Sequence, residues 1–214
     1  MVRGRQKFAE FKTNQDMHNV KEKKERALGT KLFLKAERCS SPKCAMVRKP
    51  YRPGVHGSKR HSVSEYGKQL QEKQKIQITY GLSNRQMRNL FRKFGTSMIS
   101  VLEKRLDRVV FLLGFARSGR VARQLISHGH ILVNSRKVTI PSCSVKIGDV
   151  ISIRPESRSI KIFEDMPLRL GQFKTPEWLK ANKEEFKGEC VGKPHTEETS
   201  FPFDINLVGQ FYSR

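Results

Sequence analysis

Lysine and arginine number 43 against 20 aspartates and glutamates, so the 214-residue chain carries a formal charge of +23. Self-repulsion on that scale opposes compaction, and a bound polyanion relieves it. The isoelectric point near 10.3 lies in the range that marks nucleic-acid binding. An acidic membrane is the rival polyanion. No apolar run approaches the roughly 20 residues of a spanning helix, and no basic amphipathic anchor rich in Trp or Phe is present. The expected partner is therefore nucleic acid and no membrane. The first residues, MVRGRQKFAEFK, lack the apolar core of a secretory signal, and Glu10, Asp16, Glu22 and Glu25 speak against a transit peptide. Four cysteines at irregular spacing make no disulfide framework, so a reducing, cytosolic setting is expected.

The length suffices for one or two small domains with real cores. Residues 1–30 are polar, and KEKKER (residues 21–26) is either a helical turn or a solvated arm. Residues 31–60 hold Pro42, Pro50, Pro53, Gly54 and Gly57, which forbid a helix through most of the segment. They also hold the apolar anchors Leu32, Phe33, Leu34 and Tyr51. Either a partner orders this loop or it is disordered.

Helical signals follow. Ser62-x-x-Glu65 fits a capping box opening a helix over residues 63–79. Ser83-x-x-Gln86 opens another, with Met87, Leu90, Phe91 and Phe94 on one face and Arg85, Arg88 and Arg92 on the other, and Gly95 as its stop. A third helix is expected over residues 97–113, with Met98, Leu102, Leu106, Val109 and Leu113 as its stripe. Ser118 is a good N-cap. Behind it, Val121, Ala122, Leu125 and Ile126 share one side, and Arg120, Arg123, Gln124 and Ser127 the other.

Gly129 ends that helix. A hairpin then runs through residues 131–133, turns at Asn134-Ser135 and returns from Lys137, with further strands expected at 144–146 and 150–154. Two helices on a small antiparallel sheet make an α+β unit. Thr175-Pro176 reads as a helix start. The apolar cluster Phe201, Phe203, Ile205, Leu207, Val208, Phe211 and Tyr212 needs another element to dock on.

The stretch RLDRVVFLLGFARSGRVARQLISHGHILVNSRKVTIPS closely resembles the RNA-binding module named after small-subunit ribosomal protein four. LFLKAERCSSPKCA, KPYRPGVHGSKRHSVSEYGKQLQEKQK and the final FYSR resemble that protein family itself. The resemblance implies an α+β fold: a helical domain (46–98 and 172–214), an inserted RNA-binding module (99–171) and an extended basic N-terminal region (1–45). It implies a structural constituent of the small ribosomal subunit, a primary binder of small-subunit ribosomal RNA that helps nucleate assembly of the subunit body. It further implies contacts with ribosomal proteins five and three, messenger RNA nearby, a cytoplasmic location and a part in translational accuracy.

Family members often ligate zinc or an iron–sulfur cluster through two cysteine pairs. Only Cys39 and Cys44 are present here, and the region of the other pair, Glu22 to Arg26, has none. A tetrahedral structural site wants four ligands. Cys39 and Cys44 are at most a remnant half-site, His18, Cys143 and Cys190 show no spacing that would complete it, and no cofactor is expected. Ser135 stands where the family usually has Gly, which implies a strained turn.

Arginine makes planar, multi-donor contacts to phosphate and stacks on exposed bases. Arg117, Arg120 and Arg123 are the leading RNA-binding candidates, because the opposite helix side is committed to core and a helix N-terminus attracts phosphate. Gln124, His128, His130, Asn134, Arg136 and Lys137 extend the module's surface. The Pro/Gly loop contributes Lys43, Arg48, Arg52, His56, Lys59 and Arg60, and Tyr51 either stacks on a base or anchors the loop. Lys73, Lys75, Arg85, Arg88 and Arg92 complete the set, of which about half should touch RNA. A competing reading is an RNA-modifying enzyme or an RNA chaperone, because Arg105-Leu106-Asp107 resembles a pseudouridine-synthase signature. Against it, Asp107 falls mid-helix, and the roughly sixty residues after the module are too few for a synthase domain. No catalytic residue and no enzyme is expected.

Overall fold

A computed structural model describes residues 21–35, 38–39, 41–59, 62–164, 166, 170, 175–182, 185–194 and 203–213. KEKKER is helical, within α1 (Lys21–Leu28), and a short α2 follows at Ala45–Arg48. The first long helix, α3, spans Glu65–Thr79. Its cap is Ser64 and not Ser62: the Ser64 hydroxyl accepts the Gly67 N–H at 3.2 Å, and Glu65 becomes the first helical residue, paired with Lys68 at 2.7 Å. The box at Ser83 forms as the spacing predicts, with both reciprocal bonds to Gln86, and opens α4 (Asn84–Phe94).

The single helix expected over 97–113 is two. A 3₁₀ turn at Gly95–Ser97 leads into α5 (Met98–Glu103), and α6 (Leu106–Leu112) begins after Arg105, which is extended at ψ 140°. The break persists because its freed backbone groups find partners across the chain. Leu106 and Asp107 N–H donate to the carbonyls of Cys143 and Pro141 at 2.8 and 3.1 Å, and Val145 N–H donates to Lys104 O at 2.8 Å. The apolar stripe is buried throughout but serves two cores. Met98 and Leu102 join Ile76, Tyr80, Leu82, Met87, Ile99 and Val208. Leu106, Val109 and Leu113 join the second cluster.

That second cluster is a sheet covered by α6 and α7 (Gly119–Ser127). Its strands are β1 (Ile131–Val133), β2 (Arg136–Lys137), β3 (Val150–Ile153), β4 (Leu179–Asn182) and β5 (Lys187–Cys190), antiparallel in the order β2-β1-β3-β5-β4. Ile131, Ile151, Ile153, Leu179 and Cys190 face Val110, Leu113, Ala122, Leu125 and Ile126. The strand expected at 144–146 reduces to one bridge, Ser144 to Arg105. The helix expected at Thr175-Pro176 is a turn, in which Leu179 N–H donates to Pro176 O at 3.0 Å. Trp178 and Leu179 are buried in the module's core, and β5 needs a partner on its outer edge, which β4 supplies. Leu179–Asn182 and Lys187–Cys190, grouped by sequence with the helical part, therefore complete the sheet.

The apolar cluster near the C-terminus docks, as expected. Beyond a short α8 (Lys161–Glu164), its helix, α9 (Ile205–Tyr212), packs on α3. Val208 is fully buried, Tyr66 and Phe211 rings lie 5.7 Å apart, and Tyr212 stacks on Phe91 at 4.7 Å. Phe201 lies outside the described residues.

The β1–β2 loop is two residues long, and both adopt left-handed backbone: φ is 49° at Asn134 and 63° at Ser135. Such turns match the twist of the strands, but a β-carbon in this region is costly. Ser135→Gly is expected to stabilise the fold by about 0.5–1 kcal/mol, raising the thermal midpoint by roughly 2–4 °C in calorimetry.

Candidate nucleic-acid interface

Several predicted contacts sit at the surface of the module. Arg120 and Gln124 are exposed on α7, His128 follows at its end, and Arg136 and Lys137 are exposed on β2. Arg117 is half-buried ahead of the Ser118 cap. Gly129 has φ 77°, and a β-carbon there would meet Lys137 Cε at 2.1 Å. The glycine thus lets the Lys137 ammonium lie against the C-terminal end of α7, where the helix dipole favours a cation. His130 is drawn into the same corner. Its Nδ1 and the Ser157 hydroxyl are 2.9 Å apart, its ring is 5.9 Å from that of His128, and burial, then the nearby His128, Arg154 and Lys137, hold its pKa below the ordinary value. Arg154 is a neighbour that the one-dimensional reading missed. Strand pairing brings it in, because Arg154 N–H donates to His130 O at 2.9 Å.

Other predicted contacts are taken up by partners within the chain. Arg123 donates through Nε and Nη2 to Asp107 Oδ2 at 3.1 and 2.7 Å, and through Nη2 and Nη1 to the carbonyls of Tyr80 and Gly81 at 2.8 and 3.1 Å. Asn134 donates to Asp149 Oδ1 at 2.8 Å and accepts from Val150 N–H at 2.9 Å, which closes the hairpin. Lys75 is buried and pairs with Glu72 at 2.5 Å. The other Glu72 oxygen accepts Asp204 N–H at 3.0 Å and so holds the start of α9. Lys73 donates to Asn84 Oδ1 at 2.8 Å and lies 5.1 Å over the Phe211 ring. Partial burial, then Arg88, lowers its pKa. Arg123, Asn134 and Lys73 found acceptors outside their own elements, which helical periodicity does not report, whereas Lys75 found its acceptor within α3.

Arg85, Arg88 and Arg92 are exposed along α4, as their spacing predicts. Lys43, Arg48, His56 and Lys59 are exposed in the Pro/Gly loop, and Arg52 is half-buried. Arg60 lies outside the described residues. The loop is organised from within. Arg26 of α1 donates through Nε to Lys49 O and Tyr51 O at 3.0 Å each, and through Nη2 to Arg52 O at 3.4 Å. Its guanidinium lies 5.0 Å over the Tyr51 ring. Beside it, Glu25 is fully buried. Its Oε1 accepts the N–H of Leu32 and of Leu34 at 3.1 Å, and the Cys39 thiol donates to Oε2 at 3.8 Å.

Cys39 and Cys44 are both buried beside this carboxylate. They do not fit a tetrahedral metal site. The carboxylate is occupied by backbone amides, and burial pushes the Cys39 thiol up, away from the thiolate a metal binds. Among the described residues no group of three or more His, Cys, Asp or Glu is placed to hold a metal ion, and no helix is long and apolar enough to cross a membrane. His18 lies outside the described residues.

Asp107 is equally committed. Arg105 holds it through Nε to Oδ1 at 3.1 Å and Nη2 to Oδ2 at 2.9 Å, Arg123 holds the same Oδ2, and the residue is buried. A catalytic aspartate must meet a substrate, and this one meets two arginines.

Comparison with known proteins bears on the whole arrangement. A family model described as the ribosomal protein S4/S9 N-terminal domain matches residues 17–109, and an S4 domain model matches residues 104–151. Proteins named small ribosomal subunit protein uS4 from Nitratidesulfovibrio vulgaris, Halothermothrix orenii and Thermus thermophilus are 42%, 44% and 45% identical to the chain. Each alignment covers 87% of this chain and 93% of the relative. This chain belongs to the uS4 family. The two family models of this uS4 chain meet at residues 104–109, where the helix breaks between α5 and α6.

Two measurements check this geometry. Glu25→Ala leaves the Leu32 and Leu34 amides without their acceptor, at a cost of about 2 kcal/mol. Hydrogen exchange at those two amides should then accelerate by at least about tenfold. The His130 ring should titrate below its ordinary 6.5 by NMR. Its folded pKa is depressed, so the stability it contributes is full above about pH 6.5 and is lost as pH falls toward the folded midpoint. Urea melts of His130→Gln should lack that part of the pH dependence.

Proposed function

We propose that this chain is a structural component of the small ribosomal subunit and binds its ribosomal RNA. The observation that carries the reading is the S4 domain match over residues 104–151, on a unit whose outward side chains include Arg120, Gln124, His128, Arg136 and Lys137. The relatives of this chain are named as small-subunit ribosomal proteins. A folded RNA offers phosphates at fixed spacing, and a rigid cationic surface recognises such a shape through charge and geometry together.

In finer terms, the chain is a primary binder that helps nucleate the subunit body in the cytoplasm. It neighbours ribosomal proteins five and three, borders the path of messenger RNA into the subunit and contributes to accuracy. The helical part (46–98 with α9) and the module (99–171 with β4 and β5) each present one cationic face, and the 1–45 region adds the loop. Catalysis is not part of this reading, since Asp107 is bound by Arg105 and Arg123.

The purified protein should bind a small-subunit 5′-domain transcript at moderate salt and sediment with small subunits, without isomerising uridine in a tritium-release assay. Arg120→Ala should weaken binding and flatten the log–log salt slope by somewhat under one unit, about one phosphate contact. Absence of binding to that transcript would overturn the proposal.

A further inference from the structure

Where the two apolar clusters meet, the chain buries a set of charges that neither core requires. Tyr80 ends α3 with its side chain in the helical cluster. Its hydroxyl donates to Glu103 Oε1 at 2.5 Å, and Arg108 Nε donates to both Glu103 oxygens at 3.2 and 3.0 Å. The Tyr80 carbonyl belongs to a second set. It and the Gly81 carbonyl accept from Arg123, whose remaining bonds go to Asp107, which Arg105 also holds. One guanidinium thus joins α7, α6 and the turn at 80–81. That turn runs into Ser83, the cap of α4. Gly81 makes the approach possible: its φ is 58°, and a β-carbon there would stand 2.6 Å from Arg123 Nη1.

We propose that Arg123 is a positioning residue for RNA binding. It fixes the module's face, with Arg120 on α7, relative to the face of α4 that carries Arg85, Arg88 and Arg92. The inference rests on the reading that the chain binds folded RNA. Two cationic faces held at one angle meet a rigid polyanion without first being ordered, whereas two faces on a loose joint lose that freedom on binding. The clamp is polar, so it is sensitive to single changes. Lysine in place of Arg123 keeps the charge but cannot reach Asp107, Tyr80 O and Gly81 O together.

The test compares the full-length wild type with Arg123→Lys, Gly81→Ala and Arg120→Ala. Affinity for the 5′-domain transcript is measured as a function of salt, and thermal melts check that each variant is folded. In parallel, spin labels at the exposed positions Lys93 and Ser127 report the distance between α4 and α7 in the free protein. Arg123→Lys and Gly81→Ala should broaden the free-state distance distribution, weaken binding by about tenfold and leave the salt slope unchanged.

Arg120→Ala should do the reverse, keeping the distribution and flattening the slope. A slope flattened in Arg123→Lys would make Arg123 a phosphate contact and overturn the proposal. A broadened distribution with undiminished affinity would overturn it too, as would an unchanged distribution. Failure of the wild type to bind is seen before any variant is compared, and it sinks the functional reading itself.

Discussion

Carboxylates are scarce in this chain, and the structure depends on where it puts them. Glu25, Glu103 and Asp107 are buried, and Glu72 is nearly so, at 13% side-chain exposure. Each one holds together segments that are distant in sequence: Glu25 the loop after α1, Glu72 the start of α9, Glu103 the end of α3, Asp107 the base of α7. Removing one partner from a buried ion pair costs about 3–5 kcal/mol, because the other charge is left unpaired. In a chain of net charge +23, an inward acid also draws arginines out of the surface field. The cations that remain outside are then free to face a polyanion.

The same logic explains the Pro/Gly loop. Proline and glycine deprive it of helix and strand ladders, so its carbonyls need other donors. Arg26 supplies them for Lys49, Tyr51 and Arg52 while its face rests on Tyr51. Order in this loop therefore arises within the chain, from a guanidinium on a helix more than twenty residues earlier. The alternatives of disorder or ordering by a partner both overlooked that source. The Glu25 carboxylate does similar work for Leu32, Leu34 and Cys39, and burial pushes the Cys39 thiol up.

Much of the fold was legible in one dimension. The Ser83 box, the Ser118 cap, the buried face of α7, the outward row of Arg85, Arg88 and Arg92, and the hairpin turn at Asn134-Ser135 all rest on local periodicity and stereochemistry. The candidate site was less so. Arg120 and Arg123 are three residues apart on the same polar side of α7, yet one is exposed and the other is half-buried in a network. The acceptors that hold Arg123 sit at Asp107, Tyr80 and Gly81. Lys73 differs from Arg88 and Arg92 for the same reason, since Asn84 of α4 and Phe211 of α9 supply its partners.

The sequence alone determined a strongly basic α+β chain with amphipathic helices whose cationic rows face outward, because charge and side-chain period are local properties. Tertiary structure decided the break between α5 and α6, the recruitment of β4 and β5 to the sheet, and the choice of which cations face solvent. Those outcomes depend on buried backbone and carboxylate groups finding partners, and such partners come from segments that only folding brings within hydrogen-bond reach.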